Sequence, residues 1–358
     1  MSAASELARP WSGDLEPELD CTMFREAPAD PEMRESASVW LFEENGDFAF
    51  PRLGIEAQSA VWDNHRYDAN FAFRGGRLLR LSNRRPTPPP EDGVLRAGGL
   101  AFRCIEPFRR WAVSFDDLAY EGTIGEQMGG TFKVFADGDV PSDPGRAQVP
   151  VKFEVELEMA APGWTQDFRP EKLAGLTPQE REDAGMMGLG WRVEQVYRGA
   201  GELTIDGSTR SFRCVGNRIR RQSSRPGMTV FRGHCWQAAV FPDGRAFGYC
   251  TYPPRDDGTT YNEGYIWQDG RWHTARAVKV PFLRNIMPEG DDVSVELESD
   301  LGITRIEGST LLGTFHLGNP SLGGMNNNQG SARYRWDGQE AIGMIERSSL
   351  AELCTIVG

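Results

Sequence analysis

From Ala37 onward, apolar and polar positions alternate in short runs, each ended by a turn residue. Val39–Phe42 precede Asn45-Gly46, a two-residue hairpin signal, and Phe48–Ile55 follow it. Arg66–Phe73 lead through Gly75-Gly76 into Arg77–Ser82, and further runs read as strands at Leu100–Arg103, Trp111–Phe115 and Thr131–Ala136. Lys152–Met159 places a charge at every second position over its whole length, the pattern of a half-buried strand. Asp206-Gly207, Asp243-Gly244, Asp269-Gly270 and Asp337-Gly338 are further turns between strand-like runs. One segment predicts a helix. In Leu176–Ala184, Thr177 stands at the N-cap, Pro178 at the first helical position and Glu180 where a capping box needs it. Leu350–Cys354 is a second, shorter candidate. The pattern therefore predicts an all-β protein of about twenty short antiparallel strands with few short helices.

Residues 1–30 are rich in Pro, Glu and Asp and read as an irregular leader. Beyond it the chain echoes itself. Phe42, Gly46 and Phe48, followed by Phe71, Phe73 and Gly76, correspond to Phe241, Gly244 and Phe247, followed by Tyr265, Trp267 and Gly270. The paired glycines lie 194–198 residues apart, which suggests two β-domains, 31–200 and 201–358. Two lipocalin-like barrels or curved sheets packed side by side satisfy the strand count and remove exposed edges.

Composition narrows the function. The net charge of −13 argues against a nucleic-acid or anionic-membrane binder, since phosphate neutralisation needs a basic face. No stretch reaches the length of about 18 apolar residues that a membrane helix needs. The first twenty residues lack the features of a secretory signal, and the six cysteines form no CxxC pair, so a reducing, cytoplasmic setting with free thiols is expected. Nucleotide-binding glycine loops, HExxH and GxSxG are absent, and His65, His234, His273 and His316 show no ligand spacing, so neither cofactor nor metal is expected. Ser321–Gly330 reads as a loop. The basic run Asn217–Arg225 reads as an exposed strand edge or a cluster paired with carboxylates.

The segment 231–267 is the richest in chemistry. On strands, His234 and Trp236 share a face, as do Tyr261 and Glu263, so adjacent strands can present all four to one cavity. A carboxylic acid kept neutral by an aromatic pocket can protonate carbon, which makes Glu263 a candidate acid. Tyr261 and Trp236 would form a cation-stabilising wall, and His234 would orient water as a base.

A family resemblance adds to this. The first half carries Arg34-Glu35-Ser36, Gly46, Pro51-Arg52-x-Gly54 and Glu106-Pro107-x-x-x-Trp111. The second carries Glu194-Gln195, Gly199-x-Gly201, Asp206-Gly207, Trp236-x-x-x-x-Phe241-x-Asp243-Gly244, Arg333–Gly338 and Glu346-Arg347. With these short motifs spread over most of 34–348, the chain resembles the carotenoid 1,2-hydratase (hydroxyneurosporene synthase) and AttH-like group of double lipocalin-like proteins. The resemblance implies a His-x-Trp and a Tyr-x-Asp pair, matched by His234-x-Trp236 and Tyr261-x-Glu263 with Glu replacing Asp. Where many relatives carry Arg-Asp-His-Ser-Trp, this chain has Asn217-Arg218-Ile219-Arg220-Arg221 and loses the Asp-His pair. The same architecture also resembles fungal Diels–Alderases and tocopherol cyclases, which implies a large apolar cavity.

The expectation is thus a cofactor-independent lyase- or isomerase-type enzyme, hydratase- or dehydratase-like, acting by proton transfer. Its substrate is expected to be a hydrophobic unsaturated small molecule, such as an isoprenoid, steroid or polycyclic. A pericyclase that shapes a polyene and a non-catalytic carrier of a hydrophobic ligand are the alternatives. Oligomeric state has no signature in the sequence.

Overall fold

The computed structural model describes residues 9–134, 145–225 and 231–357; residues 1–8 of the expected leader and the last two residues of the run Thr131–Ala136 lie outside them. The first sheet contains β1 (Met33–Glu43), β2 (Phe48–Gln58), β3 (Asn64–Phe73), β4 (Arg77–Pro86), β5 (Val94–Ala97), β6 (Leu100–Glu106), β7 (Arg110–Thr123), β8 (Gln148–Met159), β9 (Trp164–Asp167), β10 (Leu189–Ile205) and β11 (Ser208–Ser224). Its order is β4-β3-β2-β1-β11-β10-β8-β7-β6-β5, with β9 on β10. Arg77–Arg80 of β4 also pair with Tyr120–Thr123 of β7, so eight of the strands meet as a ring, with β5 and β6 appended. The second sheet contains β12 (His234–Val240), β13 (Ala246–Thr251), β14 (Asn262–Gln268), β15 (Arg271–Lys279), β17 (Val295–Ser299), β18 (Gly302–Asn319), β19 (Met325–Trp336) and β20 (Gln339–Ser349), with a short β16 (Asn285–Ile286) outside the ring. These eight form a closed antiparallel barrel, β20 returning to β12.

The glycine echo has a structural meaning. Gly46 and Gly76 turn the β1–β2 and β3–β4 hairpins of the first barrel, and Gly244 and Gly270 turn the corresponding β12–β13 and β14–β15 hairpins of the second. At Asp206-Gly207, Asp269-Gly270 and Asp337-Gly338 both residues have positive φ, the twist that joins two strands tightly. The expected division after residue 200 nevertheless falls inside β10. The β10–β11 hairpin completes the first sheet, and the chain passes to the second between Ser224 and His234.

Both barrels are filled by their own side chains, as eight-stranded barrels allow. Phe48, Phe50, Phe71, Phe115 and Phe153 meet inside the first, with ring centroids 4.8–5.8 Å apart. Phe247, Tyr249, Ile266, Leu297 and Tyr334 fill the second. Three α-helices occur among the described residues: α1 (Ile124–Met128), α2 (Pro170–Leu173) and α3 (Pro178–Met187). The α3 helix carries the predicted capping box between Thr177 and Glu180. Leu350–Cys354 contains a single 3-10 turn, Ala351–Leu353, and Thr131–Val134 is irregular rather than strand. Ser321–Gly330 is also half strand: a turn at Gly323-Gly324 is followed by β19 from Met325.

The basic run is neither an edge nor exposed, because β11 lies between β1 and β10. Arg218 and Arg220 point inward beside Val39 and Ala37. There they meet carboxylates: Arg218 pairs with Asp20 at 2.8 and 3.0 Å, and Arg220 pairs with Glu35. Asp20 is fully buried and also accepts from the Phe108 amide at 2.6 Å and the Trp111 indole at 2.9 Å. The leader therefore plugs the barrel, with Leu15 packed on Phe108, Trp191 and Val193. Cys21, next to Asp20, forms a disulfide with Cys104 of β6, contrary to the expectation of thiols throughout. Wide sequence separation hid that pair: the two cysteines stand 83 residues apart.

Removing Asp20 leaves Arg218 buried without its anion, so Asp20→Ala is expected to cost about 3–5 kcal/mol in denaturant unfolding. A loss under about 1 kcal/mol contradicts the plug. Thiol titration of the denatured, unreduced protein should find the four free cysteines Cys214, Cys235, Cys250 and Cys354; six would overturn the Cys21–Cys104 link.

Candidate active site between the barrels

Because both interiors are packed, a ligand-sized space arises where the outer faces of the barrels meet. β2 lies against β18 and β19, β1 against β20, and β11 against β12 and β20. Between these strands is a cavity of about 350 Å³. Strand alternation aims its lining. Along β11, Arg218 and Arg220 point into the barrel, so Ile219 and Arg221 point out to the cavity. Along β20, Ile345 and Arg347 point into the second barrel, so Glu346 points out.

The cavity is mixed rather than apolar. Seven arginines and three carboxylates line it, together with an aromatic and thioether end formed by Trp40, Trp236, Phe231, Tyr252, Met186 and Met187. Directly paired residues Arg221, Ser36, Glu56, Arg66 and Arg84 make one polar row across β11, β1, β2, β3 and β4. Glu56 has Arg221, Arg52, Arg34 and Arg66 at 3.2, 3.6, 3.8 and 4.0 Å. Burial opposes its charge, but these arginines outweigh that and hold its carboxyl well below the ordinary value. His316 is pushed the other way. Burial, and then Arg80, keep its imidazole neutral, and Arg80 donates to Nε2 at 2.6 Å.

Two of the four expected site residues line the cavity. His234 sits on β12 with Nε2 3.3 Å from Glu346 and Nδ1 2.6 Å from the Ser348 hydroxyl. Ser348 Oγ accepts from the His234 amide, so one tautomer satisfies every contact: Ser348 donates to Nδ1, and Nε2–H donates to Glu346. Burial raises the Glu346 carboxyl, yet the His234 contact, Arg52 and a 2.9 Å bond from Gln329 bring it below the ordinary value. Trp236 stands edge-on to Trp40 at 4.7 Å and donates to Glu194 at 2.9 Å. The Arg192 guanidinium covers its ring face at 4.9 Å, where a substrate cation was expected.

Tyr261 and Glu263 lie outside the cavity lining. Tyr261 Oη donates to Glu263 at 3.0 Å and accepts from Gln166, whose carbonyl accepts from Arg192. Arg192 also pairs with the fully buried Glu194, whose carboxyl burial pushes up against the pull of Arg192, Asn217 and Trp236. Glu263 is exposed, although the protein packed around its carboxyl raises it and Tyr261 opposes. These two residues thus reach the cavity through Gln166 and Arg192. Sequence reasoning missed Glu346, Ser348, Gln166 and the arginine row. Period-two patterning marks their faces as polar, but nothing local says that a second barrel covers them.

A family model described as Domain of unknown function (DUF7064) matches residues 22–351. The chain belongs to the DUF7064 family. The match takes in both barrels, since β1 through β20 all lie inside it. No curated protein matches this DUF7064 chain in sequence. Among solved structures, an AttH protein (NE1406) from Nitrosomonas europaea superposes with a TM-score of 0.55 at 12% identity, covering 92% of this chain and 97% of that one. CghA with Sch210972 gives 0.50 at 12% identity, covering 95% and 97%. Kievitone hydratase from Nectria haematococca gives 0.46 at 9%, covering 93% and 94%. At these identities the first two likenesses establish the double-barrel fold.

The arginine cluster makes a pH prediction. A depressed carboxyl contributes stability fully above the ordinary glutamate value of 4.5 and loses it as pH falls toward the folded value. The melting-temperature gap between wild type and Glu56→Gln should therefore be full at neutral pH and narrow below pH 4.5. A gap that widens on acidification contradicts the assignment.

Proposed function

We propose that this DUF7064 protein is a cofactor-independent acid–base enzyme of the hydratase, dehydratase or isomerase type, working in the junction cavity. The observation that carries the reading is the His234–Glu346 pair, fixed by Ser348 and Gln329 on the cavity wall. A carboxylate held in place by an imidazole N–H accepts a proton from water and returns it to carbon.

Charge selects the kind of intermediate. A carbocation would form among an excess of arginines and next to a tryptophan face already covered by Arg192. An enolate gains from the same guanidinium groups, which act strongly where water is excluded. The reading is therefore addition of water to a carbon–carbon double bond conjugated with a carbonyl, or its reverse. The Glu346 carboxylate, held by the His234 Nε2–H, takes a proton from water as the water oxygen bonds to the β-carbon, and the π electrons move to the carbonyl oxygen. The protonated Glu346 carboxyl then returns its proton to the α-carbon, and the carbonyl re-forms. Trp236, Phe231 and Met187 offer an apolar surface for the rest of the substrate, which supports an unsaturated compound with a hydrophobic body. Tyr261 and Glu263 act on this chemistry by positioning Arg192 through Gln166.

A panel of conjugated enones and enoic acids in ¹⁸O-water tests the reading by mass spectrometry. Wild type should add labelled water to a member of the panel, and His234→Asn should slow that by about 10²–10⁴-fold with its circular dichroism unchanged. Turnover that survives His234→Asn, or no labelled product from wild type, overturns it.

A further inference from the structure

Four guanidinium groups share the single carboxylate of Glu56, and only Arg221 stands close enough to bond it; Arg66 is 4.0 Å away. Arg52 and Arg34 are 3.6 and 3.8 Å from its oxygens, and the buried Nε atom of each has no hydrogen-bond partner among the described residues. Asp68, on the next row, pairs with Arg66 at 3.2 Å and so answers for another arginine, not for these. Even with Asp68 and the half-exposed Glu32, 4.0 Å from Arg34, the four guanidinium groups outnumber their carboxylates, and a guanidinium fork held at a cavity wall matches a further, incoming carboxylate. The chain as a whole is strongly acidic, at −13, so a local positive excess in a walled cleft is a focused field that draws anions in.

The form of the site narrows the anion. The arginine-bearing wall is built from β1, β2 and β3, whose amides are committed to the strand ladder. Among the described residues no helix begins on that wall, so recognition rests on side chains, without the backbone amide cradle that commonly holds phosphate. Across the cavity, Trp236, Phe231 and Tyr252 supply an apolar surface. Arg52 also lies close enough to Glu346 for its charge to act on that carboxyl, so a head group held by Arg52 brings the attached chain to the His234–Glu346 pair.

We propose that the junction cavity binds a small amphipathic carboxylate, its head group on Arg34 and Arg52 beside Glu56 and its unsaturated apolar body over Trp236 and Phe231. This rests on the reading of the cavity as the reaction site, and it names the substrate class. Trp40 and Trp236 report occupancy, because both line the cavity.

The test compares 2-naphthoate with its neutral counterpart 2-naphthamide by tryptophan quenching and isothermal calorimetry on the full chain. The acid should bind at least about 10-fold tighter than the amide, and raised salt should narrow the gap. Arg52→Met and, separately, Arg34→Met should each weaken the acid about 10-fold and leave the amide within about twofold. The ratio measured on wild type decides the matter even where a variant folds poorly. Equal affinity for acid and amide, or no measurable binding of the acid, overturns the proposal. His234→Asn should bind 2-naphthoate as wild type does. Loss of the catalytic reading would thus appear in turnover with carboxylate binding intact, and loss of this proposal would appear in binding alone.

Discussion

Two arginines on one central strand must find anions inside a barrel, and much of the architecture answers that demand. Arg218 and Arg220 alternate with Ile219 and Arg221 on β11, so pointing one pair outward forces the other inward. A buried guanidinium without a partner costs several kcal/mol. Asp20 and Glu35 meet the need, and Asp20 comes from the leader. The leader is thereby drawn over the barrel, where the Cys21–Cys104 link holds the adjacent residue. With that end plugged, phenylalanines pack the interior of the first barrel. The second is filled likewise. A ligand is left the space between them.

Placing the site on outer faces changes its chemistry. A calyx would be lined by the apolar side of each strand, whereas outer faces carry the polar alternates. Covering such faces with another barrel brings charges into a region of low dielectric, where each is expensive alone and strong when paired. Glu56 and Glu346 stay ionised under these conditions because arginines and His234 surround them. Glu194 lies deeper, and there burial wins over its partners. The cavity thus combines an ionised carboxylate next to imidazole with an excess of guanidinium, a setting that favours negative charge on a bound group.

Local patterning made the strands, the turns and the capping box of α3 legible, because each depends on neighbours in sequence. The repeated hairpins were legible too, since Gly46 and Gly244 do the same work in two barrels. What patterning could not supply was partnership. Alternation in Arg34–Trp40 tells that Arg34, Ser36 and Ser38 share a face, but an isolated sheet would give that face to water. The domain division slipped for a related reason: Asp206-Gly207 looks like any other turn, and nothing local tells that β11 returns to β1. Spacing placed His234 and Trp236 on one face, while Glu346 and Ser348 come beside His234 from 112–114 residues away in sequence, through the closure of the barrel.

The pair Tyr261 and Glu263 shows how a residue can be linked to the cavity wall without touching the cavity. Tyr261 has one hydroxyl proton, and Glu263 takes it when ionised. Its oxygen must then accept from the Gln166 amide nitrogen, which turns the Gln166 carbonyl toward Arg192. That carbonyl and Glu194 together fix the guanidinium over the face of Trp236. If Glu263 could not accept, the Tyr261 proton would be free to point at Gln166, and the amide could turn its nitrogen toward a cation instead. An exposed carboxylate therefore sets the direction of a hydrogen-bond chain that ends at a buried charge. Its negative charge is felt at Trp236 as geometry, through three side chains whose donors and acceptors each have a single consistent assignment.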